Sequence, residues 1–497
     1  MKLAQLLAIY PQLKWGEYVN QDVTNLCDDS RKVERGSVFV AVKGYAVDGH
    51  KFIQEVIDKG AIALIVEDET YIPTNYLGAQ VKVNDSRKAL NLLASRFYDD
   101  PAQKLFCVGI TGTNGKTSTA YLIEAIFNEY GWLSGVMGTI DHHIGDKIWK
   151  TELTTPGVLE LQRRLREFVS IGARASVFEV SSHALSQSRV DSIPFKVGVF
   201  TNLTRDHLDY HKNIEEYFLA KQRLFKELPL LHPKEKFVAI VNTDDEFGKR
   251  IEVADGVKFY SYGKKQSDFS FRILKESFNG VHFFLETPRG EDEFFIPLPG
   301  EHNVYNAVAA ITTAVTAGVS LQTCKDALAH FSGVPGRLQQ IQNNKEIHIF
   351  VDYAHTDQAL EAVLKALRKV GENVSNNYQL ITVFGCGGDR DAGKRPLMMT
   401  AAKNFSDVVF LTSDNPRTED PLKIIDDALK DVSPQEIDHN VFVEPDRKRA
   451  IERAINSAKK GDVILIAGKG HEDYQIIGKD KTHFSDVEVV REFLKNA

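Results

Sequence analysis

The stretch Gly109-Ile-Thr-Gly-Thr-Asn-Gly-Lys-Thr117 decides the reading of this chain, because it sets three glycines, a lysine and a hydroxyl where a nucleoside triphosphate needs them. Upstream, Leu105-Phe-Cys-Val-Gly-Ile110 is an apolar, β-branched run that reads as a buried strand. Downstream, Leu122, Ile123, Ile126, Phe127 and Tyr130 recur at helical spacing. The glycines therefore occupy a strand-to-helix turn, which aims backbone N–H groups and a helix N-terminus at phosphate oxygens. Gly112, Thr113, Asn114 and Gly115 form the cradle, Lys116 reaches the β/γ-phosphates of ATP, Thr117 reaches a Mg²⁺, and Ser118 follows in the first helical turn. Five residues rather than four separate Gly109 from Gly115, a departure from the usual phosphate-loop spacing.

At 497 residues the chain is too long for one core, and about three domains are expected. Its 43% hydrophobic and 26% charged content is that of a soluble globular protein. A net charge of -7 argues against nucleic acid as the main partner. Cys27, Cys107, Cys324 and Cys386 are scattered, so neither a disulfide framework nor a zinc site is expected and a reducing cytoplasm fits. The N-terminus is too short and polar for a signal peptide, and no apolar run is long enough for membrane insertion.

The expected fold class is α/β in three domains. Residues 1–102 alternate strand-like runs (Val38–Val42, Ala61–Val66) with helical stretches (Phe52–Lys59, Ser86–Tyr98), a smaller N-terminal α/β domain that ends at Asp99-Asp-Pro101. Residues 103–335 form a central P-loop domain with a parallel sheet, its buried strands near Ser176–Val180, Val197–Phe200 and Phe237–Val241. In it, His282–Leu285 and Glu293–Ile296 flank Thr287-Pro-Arg-Gly290 and read as an antiparallel insertion. Residues 336–497 repeat one grammar four times: apolar runs ending at Val351, Phe384, Leu411 and Ile466 are followed at once by polar loops, Asp352–His355, Gly385–Arg390, Ser413–Arg417 and Ala467–Glu472. In a Rossmann-like parallel sheet such loops share the carboxyl edge, where open α/β folds bind ligands.

Glu179, ending an apolar run, is a natural Mg²⁺ ligand beside a phosphate loop. Asp206, His207, Asp209 and His211 crowd one loop after the next strand. Lys221, on pattern alone, reads as an exposed helix lysine.

Taken in order, these strings resemble the Mur ligases of peptidoglycan precursor synthesis along nearly the whole chain. Asp29-Ser-Arg31, Gly36–Val40 and Asp48-Gly-His50 are similar to that family's uridine-nucleotide domain. Gly112–Thr117, Thr154-Thr-Pro156, Glu179–Leu185 and Asp206–His211 are similar to its ATPase domain. Asp352-Tyr-Ala-His355, the glycine loop through Arg390, Asp414-Asn-Pro-Arg417 and Gly468–Glu472 are similar to its C-terminal domain.

The resemblance implies an ADP-forming ligation in which ATP converts a carboxylate into an acyl phosphate and an amine displaces phosphate. Two anions must meet, so the physical demand is charge neutralisation and positioning. By the same resemblance Lys116, Glu179, His207 and Lys221 are catalytic. Thr117, Glu179 and His207 hold Mg²⁺, and Lys221 is carbamylated so that its new carboxylate fixes a second Mg²⁺. Asn303, Asn306, Arg337 and Asp352 contact the adenine and ribose of ATP, which implies domain closure on binding. UDP-N-acetylmuramoyl-dipeptide is implied as one substrate, touching Ser30 through its uridine part and Thr154, Thr155, Ser182, Gln187 and Arg189 nearer the reacting end. The amino acid is implied at Arg390, Asp414, Asn415, Arg417, Gly468 and Glu472.

Relatives that use meso-diaminopimelate carry the Asp-Asn-Pro-Arg loop, and a planar guanidinium suits the extra carboxylate that lysine lacks. An Arg417 that merely pairs with Glu419 or Asp420 is the plain structural alternative. A lysine-adding member of the family, a folylpolyglutamate synthetase and a P-loop ATP-dependent switch protein are the competing functions. The uridine-type N-terminal block speaks against the folate enzyme, and the polar loops of the last block speak against the switch.

Overall fold

The computed structural model describes residues 1–10, 13–44, 47–207, 210–374 and 378–496. They form two compact units, residues 1–269 with 309–324, and residues 270–308 with 325–497.

The first unit opens with a four-stranded parallel sheet of Asn25–Cys27, Ser37–Val40, Ala63–Val66 and Ala79–Lys82, in chain order. Its two middle strands are buried on both faces because both are covered. Val38, Val40 and Ile65 pack with Leu3, Leu6, Leu90 and Leu93 on one side, while Phe39, Leu64 and Val66 pack with Ile53 and Val56 on the other. The helix Ser86–Phe97, capped by Asp85, carries a buried Asn91 that fastens this sheet to the rest of the unit. Asn91 donates to the Ser188 carbonyl at 2.5 Å and accepts from Ser192 Oγ at 3.2 Å.

In the central sheet of this unit, Lys258–Gly263, Val238–Asn242, Val197–Phe200, Phe106–Thr111, Ala175–Glu179 and Ser134–Met137 lie side by side and parallel. His142–Ile144 and Lys147–Trp149 extend it antiparallel. Phe106–Thr111 sits between Val197–Phe200 and Ala175–Glu179, with Thr111 level with Phe200 and Ile110 with Glu179. The loops after all three strands therefore open at one edge, where the helix Lys116–Glu129 begins.

The antiparallel extension is pinned to that helix by His143, hydrogen-bonded to Asp141 at 2.6 Å and to Glu124 at 3.0 Å. Burial opposes a charge on His143, but the two carboxylates outweigh it and raise its pKa from 6.5 to about 9. A group whose folded pKa is raised stabilises fully below its unfolded pKa and loses that contribution as pH rises through the folded one. The melting-temperature difference between wild type and His143→Gln should thus be largest at or below about pH 6.5 and shrink steadily through about pH 9. A difference that stays constant over that range would refute the charged pair.

In the second unit, Phe269–Ser277, Gly280–Thr287 and Gly290–Ile296 form consecutive antiparallel hairpins. The last two are those expected around Thr287–Gly290. Its main sheet runs Gln339–Ile341, His348–Asp352, Val463–Ala467, Leu380–Cys386, Val408–Ser413, Val441–Val443, parallel except for the first strand. The four expected apolar runs are the four central strands, and the loops that follow them share the carboxyl edge. Among the described residues no helix is long and apolar enough to cross a membrane.

Candidate functional site

The phosphate loop is built around glycines that nothing larger can replace. Gly112 has φ +148°, and a Cβ there would lie 1.9 Å from Thr201 Oγ1. Gly115, at φ +83°, starts the helix in the left-handed region. The loop is latched to the segment after Val197–Phe200. Thr113 N donates to the Asn202 carbonyl at 2.8 Å, Asn114 N to Asn202 Oδ1 at 2.9 Å, and Thr201 Oγ1 to the Asn114 carbonyl at 2.7 Å.

Two lysines converge on this loop. Lys116 Nζ donates to the carbonyls of Gly112 and Thr113 at 3.0 and 2.7 Å, and Lys221 Nζ donates to Gly112 at 2.8 Å. Thr117 is buried one residue on, and Ser118 is half-buried in the same turn. Lys221 is only 1% exposed, which corrects the reading of it as a surface lysine. It belongs to the buried face of the helix Ile214–Lys226, and its ammonium lies 4.5 Å from the Tyr217 ring centroid. Burial, with the Lys116 ammonium adding to it, holds its pKa well below the usual lysine value.

Glu179 is 1% exposed at the same edge, its carboxylate accepting from Thr139 N at 2.9 Å and Thr139 Oγ1 at 3.0 Å. Thr139 Oγ1 also meets Thr154 Oγ1 at 3.2 Å, and Thr155 Oγ1 donates to the Glu179 carbonyl at 2.7 Å. Arg189 donates to the Thr155 carbonyl at 2.9 Å and to Gln187 Oε1 at 2.5 Å. Ser182 Oγ meets His211 Nε2 at 3.0 Å, and His183 meets His207 edge to face with ring centroids 5.0 Å apart. His207, with φ +53°, has Nε2 3.6 Å from Asp206. Asp209 lies outside the described residues. Among the described residues no group of three or more His, Cys, Asp or Glu side chains is arranged to hold a metal ion. Ser30 opens the 3-10 turn Ser30–Lys32 after the first strand of the N-terminal sheet, with Oγ 3.5 Å from Glu55 and its carbonyl accepting from Lys59 at 2.9 Å.

The remaining expected residues lie in the second unit. Asn303 and Asn306 are buried on the helix Glu301–Thr316, and Asn303 donates to the Pro299 carbonyl at 2.8 Å. Asp352 accepts from the backbone N–H groups of Leu338 and Ala354 at 2.7 and 2.8 Å, and burial raises its pKa despite Arg337 nearby. Arg337 covers the Tyr353 ring at 4.9 Å.

The loops after Val408–Ser413 and Val463–Ala467 bring Asp414, Asn415, Gly468 and Glu472 together. Gly468 has φ +114°, and Asn415 Nδ2 donates to Glu472 at 3.0 Å. Arg417 Nη1 donates to the Gly388 carbonyl at 2.6 Å, and among the described residues no carboxylate stands within ion-pair distance of it. The expected alternative partner, Glu419, is instead bound by the buried Arg395 at 2.9 Å. Gly387 sits against Arg417 and Arg390, its absent Cβ 3.2 Å from Arg417 Nη1 and 3.7 Å from Arg390 Cγ. Arg390 itself is exposed. The hairpin Tyr474–Ile477 and Asp480–His483 braces this loop, with Arg417 N donating to the Ile476 carbonyl at 3.0 Å and Gln475 Nε2 to the Asp414 carbonyl at 2.7 Å.

Two residues of these networks are absent from the sequence reading. Thr139 follows a strand with no motif to mark it. Lys469 lies inside the Ala467–Glu472 string, between glycines with φ +114° and +55°, a turn that gives the lysine a reason to face inward.

Known proteins share this architecture. Residues 22–98 match the model described as Mur ligase family, catalytic domain, residues 110–314 match the Mur ligase middle domain, and residues 336–470 match the Mur ligase, glutamate ligase domain. The chain is 43% identical to the UDP-N-acetylmuramoyl-L-alanyl-D-glutamate--2,6-diaminopimelate ligase of Clostridioides difficile (strain 630), over 96% of each chain. It is 42% identical to the protein of that name from Geobacter sulfurreducens, over 98% of this chain and 97% of the relative. A solved structure of a ligase with the same name superposes with a TM-score of 0.74 at 35% identity, covering 100% of this chain and 99% of the other. On family matches, full-length identity and fold together, the chain belongs to the Mur ligase family.

Proposed function

We propose that the chain adds meso-diaminopimelate to the γ-carboxylate of the D-glutamate in UDP-N-acetylmuramoyl-L-alanyl-D-glutamate, an ADP-forming step of peptidoglycan precursor synthesis. The observation that carries the amino-acid choice is Arg417. It lies on the loop that carries Asp414 and Asn415, and among the described residues no carboxylate stands within ion-pair distance of it. The extra carboxylate of diaminopimelate meets Arg417 there, and the ammonium on the same carbon meets Asp414 and Glu472.

The phosphate loop fits ATP: Gly112 and Gly115 leave room for close backbone approach, and Lys116 stands ready to leave two carbonyls for phosphate oxygens. Mg²⁺ would be held by Thr117, Glu179 and His207, and supplies neutralisation of phosphate charge when bound. Its binding through few protein donors plus phosphate and water agrees with the lack of a ready-made cluster among the described residues. The neutral amine favoured at Lys221 is the form that attacks carbon dioxide, which supports carbamylation. Arg189, fixed by Gln187 and Thr155, is suited to orient the dipeptide carboxylate before it becomes an acyl phosphate. Arg337, Asp352, Asn303 and Asn306 complete the ATP contacts, Ser30 takes the uridine end, and Thr154, Thr155, Ser182 and Gln187 flank the peptide. The functional division follows residues 1–102, 103–335 and 336–497, and the location proposed is the cytoplasm, where ATP and the nucleotide precursor are both available.

The test is ADP release with Mg-ATP and UDP-N-acetylmuramoyl-L-alanyl-D-glutamate, comparing meso-diaminopimelate with L-lysine. Turnover that requires the dipeptide precursor and diaminopimelate is expected. Turnover with lysine alone would overturn the Arg417 argument, and steady turnover without either co-substrate would overturn the ligase.

A further inference from the structure

The amino-acid pocket contains a cation of its own. We propose that Lys469 is a positioning and specificity residue for the second substrate: its ammonium sets Asp414, Asn415 and Glu472 and tips the pocket's charge against a cationic amino acid. This rests on the reading of that pocket as the diaminopimelate site.

Lys469 is 0% exposed, an unusual state for a lysine. Its Nζ lies 3.2 Å from Glu472 Oε2, 3.3 Å from Asn415 Oδ1 and 3.4 Å from Asp414 Oδ1, and 5.5 Å from the Tyr474 ring centroid. All three donors of an ammonium are thus engaged, each by a residue of the proposed site. Asn415 is locked further, because Nδ2 donates to Glu472 at 3.0 Å while Oδ1 accepts from Ile476 N at 3.0 Å. With Lys469 oriented on Oδ1, the amide of Asn415 has one allowed direction. The carboxylates of Asp414 and Glu472, which would otherwise repel each other, are held on either side of one cation.

The charge balance has a consequence for selection. Asp389 faces Arg390 and Arg417, so Lys469 is the cation that directly offsets Asp414 and Glu472. Meso-diaminopimelate has two carboxylates and two ammonium groups and enters as a neutral zwitterion, whereas L-lysine enters with one net positive charge. Lys469 thus weakens the attraction of Asp414 and Glu472 for the extra positive charge of lysine, in addition to Arg417 being left without its carboxylate. Specificity then comes partly from a charge that the substrate need not touch.

Lys469→Gln keeps hydrogen-bonding capacity and removes the charge. We expect kcat/KM for diaminopimelate to fall while that for lysine falls less, narrowing their ratio by roughly 10-fold. The KM values for ATP and the nucleotide precursor should stay within about twofold, since neither depends on this pocket. Lys469→Arg, which restores the charge, should return the ratio toward wild type. If Lys469→Gln does not fold, Lys469→Met, which fills a similar space without charge, should narrow the ratio to a similar degree. Equal losses for both amino acids in the uncharged variant would overturn the proposal. A wild-type protein that uses neither amino acid would instead refute the pocket's assignment and leave Lys469 a structural counter-ion.

Discussion

Lys221→Ala is expected to lower kcat by about 10²- to 10³-fold, the scale on which removing one charge-stabilising group from a reacting centre is felt, and to recover part of it in added formate or acetate. The reasoning starts from burial. A lysine 1% exposed, beside the Lys116 ammonium and donating only 2.8 Å to the Gly112 carbonyl, is strongly disfavoured as a cation. In the proposed carbamylation the neutral nitrogen would attack carbon dioxide, forming an N–C bond and releasing a proton, and the side chain would end in a carboxylate. An amine against the phosphate loop would become an anion able to help hold a second divalent ion there. Alanine removes both forms and leaves a space lined by Tyr217 and the loop, which a small carboxylate can enter. Rescue by carboxylates distinguishes the carbamate from a plain ammonium, because an ammonium would be rescued by amines. Near-full activity of the untreated variant would refute any role for the group.

Arg417→Ala should reduce kcat/KM for diaminopimelate by roughly 10²-fold or more with little change in the KM for ATP. The loss stays local because Arg417 is held by its backbone: its N–H donates to Ile476, and Gly478 N donates to its carbonyl at 2.6 Å. Its φ of +53° is unchanged by alanine, which pays the same conformational cost there. Arg417→Lys should restore little, since a point charge does not replace a planar fork that already spends one arm on Gly388. Equal losses for ATP and diaminopimelate would point to a damaged loop rather than a lost recognition group.

The parts legible in sequence were those where local chemistry leaves few choices. A Gly-Lys-Thr turn after a buried strand and before a helical repeat has one sensible structure, and Phe106–Thr111 with Lys116–Glu129 is that structure. The four C-terminal loops were legible because an apolar run that stops abruptly at Asp or Gly marks a strand's exit from a parallel sheet. Lys221 was not, because its helix is amphipathic and only the tertiary position of the phosphate loop decides that Lys221 is covered. His142–Ile144 and Lys147–Trp149 are three residues each, too short for a period to show. Phe269–Ser277 loses its alternation at a register shift between Ile273 and Lys275, which hides a nine-residue strand. Arg395 engages Glu419 across a sequence gap that no local pattern reports.

Asn91, on the helix that packs against the N-terminal sheet, reaches the carbonyl of Ser188, the residue between Gln187 and Arg189. The helix layer over the N-terminal sheet is thereby tied to the turn that carries Arg189. With the precursor held at Ser30 and Arg189 as proposed, that tie sets the span between its two ends, and a precursor one residue too short or too long should bring the wrong atom to the phosphate loop.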